Sequence, residues 1–271
     1  MAITLGLGVT YNDTSVETSA KSPVRAIFAY GKPSGSQFTA GTQTNLYNNV
    51  GIMSASFNSS GTARTNLAAA SYGGDKAIFG YGYNSSSTVV SLTNLVSYLG
   101  VIGTDVTGVG TARSSPAAAG YGTDKGIFGY GLNSSSTVVS LTNLVSNTGV
   151  VGTDVTGVGT ALSGPSGAGY GGDKAIIGFG YTAPVSGAVT NITNLISNTG
   201  VVAGDVSGIG TARGTLSAAG YGGDKAVFAF GYNGTSYLSM TNKVSNTGVL
   251  AADTTGIGTA RDGLAGASYG S

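Results

Sequence analysis

The 271-residue chain carries 48 glycines, only 8% charged residues and a formal net charge of +1, with a mean hydropathy of +0.19. That balance excludes a disordered chain, which needs low hydrophobicity and high net charge, and it leaves no electrostatic footprint for nucleic acid or an anionic membrane surface. With neither cysteine nor histidine there is no disulfide framework, no thiolate metal site and no general base of the commonest kind, and no cofactor is expected.

In chain order, residues 1–22 match nothing else in the sequence. Their alternating ITLGLGV stretch from Ile3 reads either as a strand that adds to a neighbour's sheet edge or as a loosely packed tail. The segment Met1–Thr10 lacks the basic n-region and long apolar stretch of a signal peptide. No run of about 18 apolar residues follows anywhere, so no membrane span is expected.

From residue 23 onward the chain repeats. VRAIFAYG at Val24 returns as DKAIFGYG from Asp75, DKGIFGYG from Asp124, DKAIIGFG from Asp173 and DKAVFAFG from Asp224. The basic residues Arg25, Lys76, Lys125, Lys174 and Lys225 recur with a period of about 50 residues, as long as one propeller blade and much longer than one β-helix coil. The windows are 23–75, 76–124, 125–173, 174–224 and 225–271.

Within a window the order of segments is constant. A polar turn such as Asn84–Ser87 leads into SLTNLV from Ser91, then Gly100, then TDVTGVGTAR ending at Arg113, then the small residues Ala117–Gly122. Four short stretches of Val, Ile, Phe, Tyr and Thr between turn residues read as four strands, and glycine every few residues rules out helix. Adjacent Ile78 and Phe79 point to opposite faces of their strand, so the sheet is apolar on both sides and must be covered on both. Blade stacking does this without helices, and LAAASYG from Leu67 suits a crowded innermost strand.

The predicted fold is all-β, a five-bladed β-propeller of four-stranded blades over residues 23–271. The last window ends in a small-residue strand, Leu264–Ser271, with no Asp-Lys strand after it; the first begins at Val24 with no small-residue strand before it. Joining the two completes a fifth blade and closes the ring, leaving only protected sheet edges.

The stretch RSSPAAAGYGTDKGIFGYG, Arg113 to Gly131, resembles the kelch motif: an arginine, small residues, a strand and then Gly129-Tyr130-Gly131 where a glycine doublet stands. TNLVSNTGVVGTD from Thr142 looks like the kelch strand that carries a tyrosine and a tryptophan, although those aromatics are missing here. The near-identical, glycine-rich copies are similar to repeats in virion proteins of tailed phages, those of cyanobacteria in particular. The resemblance implies a non-enzymatic virion structural protein, in capsid decoration or a tail or fibre, located in the virion. Its partners would be other virion proteins, met through residues 1–22 and the divergent first blade.

Most charges belong to the repeat. The expected structural ties are Asp105, Asp154, Asp205 and Asp253 with Arg64, Arg113, Arg213 and Arg261, each Asp pairing with an arginine of its own or a neighbouring blade. A charge repeated in every blade is architectural rather than catalytic, because acid–base catalysis needs carboxylates in unlike environments. Only Asp13, Glu17 and Asp262 stand outside the pattern, too few for a hydrolase pair. DVTG offers one carboxylate where a calcium loop offers several. Tyr72, Tyr121, Tyr170, Tyr221 and Tyr269 are the candidate ligand-facing aromatics. They read as core-finishing rings or, alternatively, as a ring of glycan sites in a lectin-like propeller for host recognition.

Overall fold

The computed structural model describes residues 4–5, 9–10, 24–32, 40–48, 50–184 and 188–268. Among them every regular element is a β-strand, and no helix is long and apolar enough to cross a membrane. The cause is local. Glycine and turn residues interrupt the chain every few positions, and the pieces between carry side chains that suit a pleated surface.

The repeating unit is plainest at residues 117–155. Ala117–Tyr121 pairs antiparallel with Lys125–Gly129, in a register that sets Ala117 opposite Gly129 and Tyr121 opposite Lys125. The other edge of Lys125–Gly129 pairs with Thr142–Val145. A thin fourth segment adds the single bridges Thr142–Val155 and Val145–Val151. The same order holds for Ala68–Tyr72, Lys76–Gly80 and Thr93–Val96; for Ser166–Tyr170, Lys174–Gly178 and Thr193–Ile196; and for Ser217–Tyr221, Lys225–Ala229 and Thr241–Val244. These are units two to five. Unit one consists of Val24–Ala29, Gln43–Asn48 and Phe57–Asn58 and, among the described residues, has no small-residue strand.

Units stack through both faces of their middle strands. Ile127 and Phe128 are both fully buried. Ile127 joins the cluster that holds Leu162 and Ile177 on the unit-four side; Phe128 joins Ile78 and Tyr81 on the unit-two side. Close approach demands small residues: a Cβ on Gly80 would lie 2.8 Å from Phe128 Cζ. The small-residue strands of units two to five lie side by side in sequence order, which their alanines, glycines and serines permit.

Residues 264–268 continue that series, since the Gly220 N–H donates to Ser268 Oγ at 3.1 Å. They form no strand, however, and no sheet closes: the strand Val24–Ala29 pairs only with Gln43–Asn48 among the described residues. In the N-terminal arm, Thr4–Leu5 pairs with Val9–Thr10 in a two-stranded ribbon, rather than forming one continuous alternating strand. Asp13, Glu17 and Tyr269 lie outside the described residues.

Candidate functional site

The polar chemistry of the molecule concentrates where one unit meets the next. The Asp154 carboxylate accepts the Thr111 N–H at 3.0 and 3.2 Å, the Thr111 hydroxyl at 2.7 Å and Asn143 Nδ2 at 3.0 Å. Arg113 donates to Asn143 Oδ1 at 2.6 Å, and its nearer guanidinium nitrogen lies 3.5 Å from Asp154. Thr111 and Arg113 leave unit two, whereas Asn143 and Asp154 belong to unit three. The arginine facing each acid is therefore that of the preceding unit.

The constellation recurs. Thr62 and Asn94 donate to Asp105, with Arg64 on Asn94. Thr160 and Asn194 donate to Asp205. Thr211 and Asn242 donate to Asp253, and Arg213 lies 3.9 Å from that carboxylate. A glycine precedes each threonine because the acid's partners press on it: a Cβ on Gly110 would stand 2.6 Å from Asn143 Nδ2.

Arg64, Arg113 and Arg213 are wholly buried. Each guanidinium lies over an aromatic ring of its own unit, at 5.0 Å from Tyr30, 4.4 Å from Tyr81 and 4.5 Å from Phe179, an arrangement in which the ring's negative face partly replaces lost water. Those rings sit on an uncommon backbone: Tyr30, Tyr81, Tyr130, Phe179 and Phe230 all have φ between 62° and 66°. A bulky residue there costs about 1–2 kcal/mol. The bend turns the ring out of its own sheet and under the next arginine.

Burial lowers the affinity of Arg64 and Arg113 for their protons and takes Arg213 down to about 10, so all three remain cationic at neutral pH. Burial also pushes the Tyr81 phenol up to about 12. For Asp105, Asp154, Asp205 and Asp253 burial alone would raise the pKa. The hydrogen bonds from threonine and asparagine outweigh it, and each carboxyl is held below its ordinary value. All four are ionised, saturated with donors and alike.

The junction of units three and four departs from the pattern. Leu162 takes the arginine's place and is fully buried; Asn194 Oδ1 has no partner, and neither has Asn242 Oδ1 at the junction that keeps Arg213. The Asp-Lys pairs lie elsewhere. Lys76, Lys125, Lys174 and Lys225 each contact the aspartate beside them, at 2.5 to 3.0 Å. The aspartate carbonyls accept across units, Gly73 N–H to Asp124 O at 2.6 Å, Gly122 to Asp173 and Gly171 to Asp224 at 2.7 Å.

The tyrosine rings behave unequally. Tyr72, Tyr121 and Tyr170 are 3 to 5% exposed, while Tyr221 is 40% exposed. The first three are covered by hairpin glycines of the next unit, Gly149, Gly200 and Gly248, each standing where a Cβ would meet the ring at 3.0 Å. Tyr221 faces the side on which unit five has no such cover. Among the described residues no three of Asp, Glu, His or Cys gather at one point, and Asp262 is engaged by the Thr215 hydroxyl at 3.0 Å.

The TNL asparagines and the threonines ahead of each Ala-Arg complete the constellation, and reasoning on charge alone passes over them. Their signal is in the sequence: a polar residue kept in the same place of every otherwise apolar strand. No model of a known protein family matches the chain, and no curated protein matches it significantly.

Proposed function

We propose that the chain is a five-bladed, kelch-like propeller that works without catalysis, as a structural component of a virion. The observation that carries the scaffold reading is the Thr–Asp–Asn constellation, which joins successive units at four consecutive junctions in the same geometry. Residues 264–268 lie beside Ser217–Tyr221, with the Gly220 N–H on Ser268 Oγ, which supports a fifth innermost segment in the ring. The near-identical ties hold Asp105, Asp154, Asp205 and Asp253 in matching surroundings, not in the unlike environments that acid–base catalysis needs. The virion assignment rests on the resemblance of the repeats to glycine-rich phage virion proteins. Electron microscopy of particles assembled with and without this chain tests it: density lost with the chain is expected, and identical particles beside a free soluble protein would overturn it. The lectin-like alternative ranks second, because three of the four described repeat tyrosines are covered by the next unit and offer no open stacking face.

A further inference from the structure

Four of the five Gly-Thr-Ala-X segments of this chain grip a carboxylate, and the fifth does not. At Gly61, Gly110, Gly159 and Gly210 the glycine faces an aspartate Oδ1 and an asparagine Nδ2, whereas nothing lies within 4 Å of a Cβ on Gly258. Thr259 follows it, then Arg261, whose guanidinium sits 3.9 Å above the Phe230 ring as its counterparts sit over theirs. The half-site is thus assembled. Gly231 N–H donates to Arg261 O at 2.9 Å, matching Gly82 to Arg113 O at 2.8 Å. Yet Arg261 is exposed, and among the described residues no carboxylate pairs with it.

The other half of that junction is unit one. Asn45 corresponds to Asn94 and Asn143: its Nδ2 donates to the Ser54 carbonyl at 3.1 Å as theirs do to Gly103 and Gly152. Its second partner is Ser56 Oγ at 3.0 Å, in the place where Asn94 and Asn143 meet Asp105 and Asp154. Unit one therefore brings a hydroxyl where every other junction brings an acid. The same edge of unit five carries Lys243 where the other units have leucine. Asn45 and Ser56 line a broad cavity that Gly263–Ala267 share with the small-residue segments of the other units, among them Ala68, Ala117, Ser166 and Ser217; Gly258–Arg261 lie outside it.

We propose that Gly258–Arg261 and Asn45 form a fifth carboxylate site, left vacant by Ser56, that takes a carboxylate group from outside the repeat. This rests on the ring reading given above, because only closure brings Asn45 to Arg261. On closure Arg261 would be as buried as Arg113, and a buried guanidinium without a counter-charge is strongly disfavoured. A bound carboxylate removes that penalty, so occupancy of the site and tightness of the junction rise together.

Two readouts separate the site from the ring. Continuing the repeat register sets Ala265 opposite Ala29, and the chain has no native cysteine to interfere. An Ala29→Cys/Ala265→Cys protein is expected to form an intrachain disulfide as a monomer; an interchain disulfide, or none in a protein that still melts cooperatively, overturns both readings. The site is read by melting temperature in sodium acetate against sodium chloride at equal ionic strength. Wild type is expected to gain about 2–4 °C in acetate, saturably. Ser56→Asp should start about as much higher in chloride and lose the acetate response, and Arg261→Gln should lose the response without the gain. If the disulfide forms but neither acetate nor Ser56→Asp moves the transition, the vacant site is refuted and the ring stands. N-acetyl-aspartate amide compared with N-acetyl-asparagine amide then identifies the source: stabilisation by the aspartate derivative at far lower concentration than acetate marks a protein side chain, and equal potency marks a free acid. Equal potency of the aspartate and asparagine derivatives overturns the site.

Discussion

At the scale of single residues, Asp154 is worth most for what would be stranded without it. Its removal leaves Thr111, Asn143 and the buried Arg113 guanidinium short of an acceptor. Orphaned buried donors cost about 1–3 kcal/mol, so Asp154→Ala should lower stability by that amount in urea unfolding. Asp75→Ala, which breaks only an exposed pair with Lys76, should change nothing measurable. The same carboxylates predict the acid limb. Asp105, Asp154, Asp205 and Asp253 are held below their ordinary value in the fold, so their contribution is full above the unfolded pKa of about 3.9 and disappears as pH falls through the folded values. Melting temperature should therefore drop below about pH 4, and the drop should be shallower in Asp154→Asn. Leu162 offers a counter-example to the rule against buried charge. An arginine there would meet Asp205, the unpaired Asn194 Oδ1 and the Tyr130 ring, so Leu162→Arg should melt within a few degrees of wild type. Ile127→Arg, equally buried but facing only apolar neighbours, should lose about 4 kcal/mol or more.

At the scale of elements, the hairpin that ends each TNL strand serves its neighbour as much as itself. Gly149 closes that turn with φ 86° and lies against the preceding unit, where an added Cβ would meet Leu95 Cδ2 at 2.8 Å and the Tyr72 ring at 3.0 Å. Gly172 has φ 79° but open space around it. Gly172→Ala should thus cost about 1–2 kcal/mol for the backbone alone, and Gly149→Ala measurably more, the excess reporting contact between units. The strands and their turns were legible in the sequence, because short β-branched and aromatic runs between glycines and turn residues leave few alternatives. The aromatic bends at Tyr81 and Tyr130 were not. Nothing in FGYG says that the tyrosine, as well as the glycine after it, takes positive φ, since that choice is made by how one unit packs on the next.

At the scale of the whole molecule, the two ends of the chain differ from every internal junction in the same direction. Tyr221, Arg261 and Ile257 are exposed, although Tyr121 and Arg113 are buried. Under the ring reading unit one covers that edge, and the two ends are joined through Leu264–Ser271. Its removal should then lower the melting temperature, while a protein of unchanged stability and cooperativity would count against a closed ring. The repeat, the all-β class and the architectural use of charge follow from the sequence alone, because they depend on residue type and period. Which asparagine and threonine complete each tie, which arginine faces which acid, and the exposure of Arg261 without a carboxylate partner among the described residues were decided only in three dimensions. Each threonine lies 42 to 45 residues from its aspartate, and the stacking of one sheet on the next brings the two within hydrogen-bonding reach.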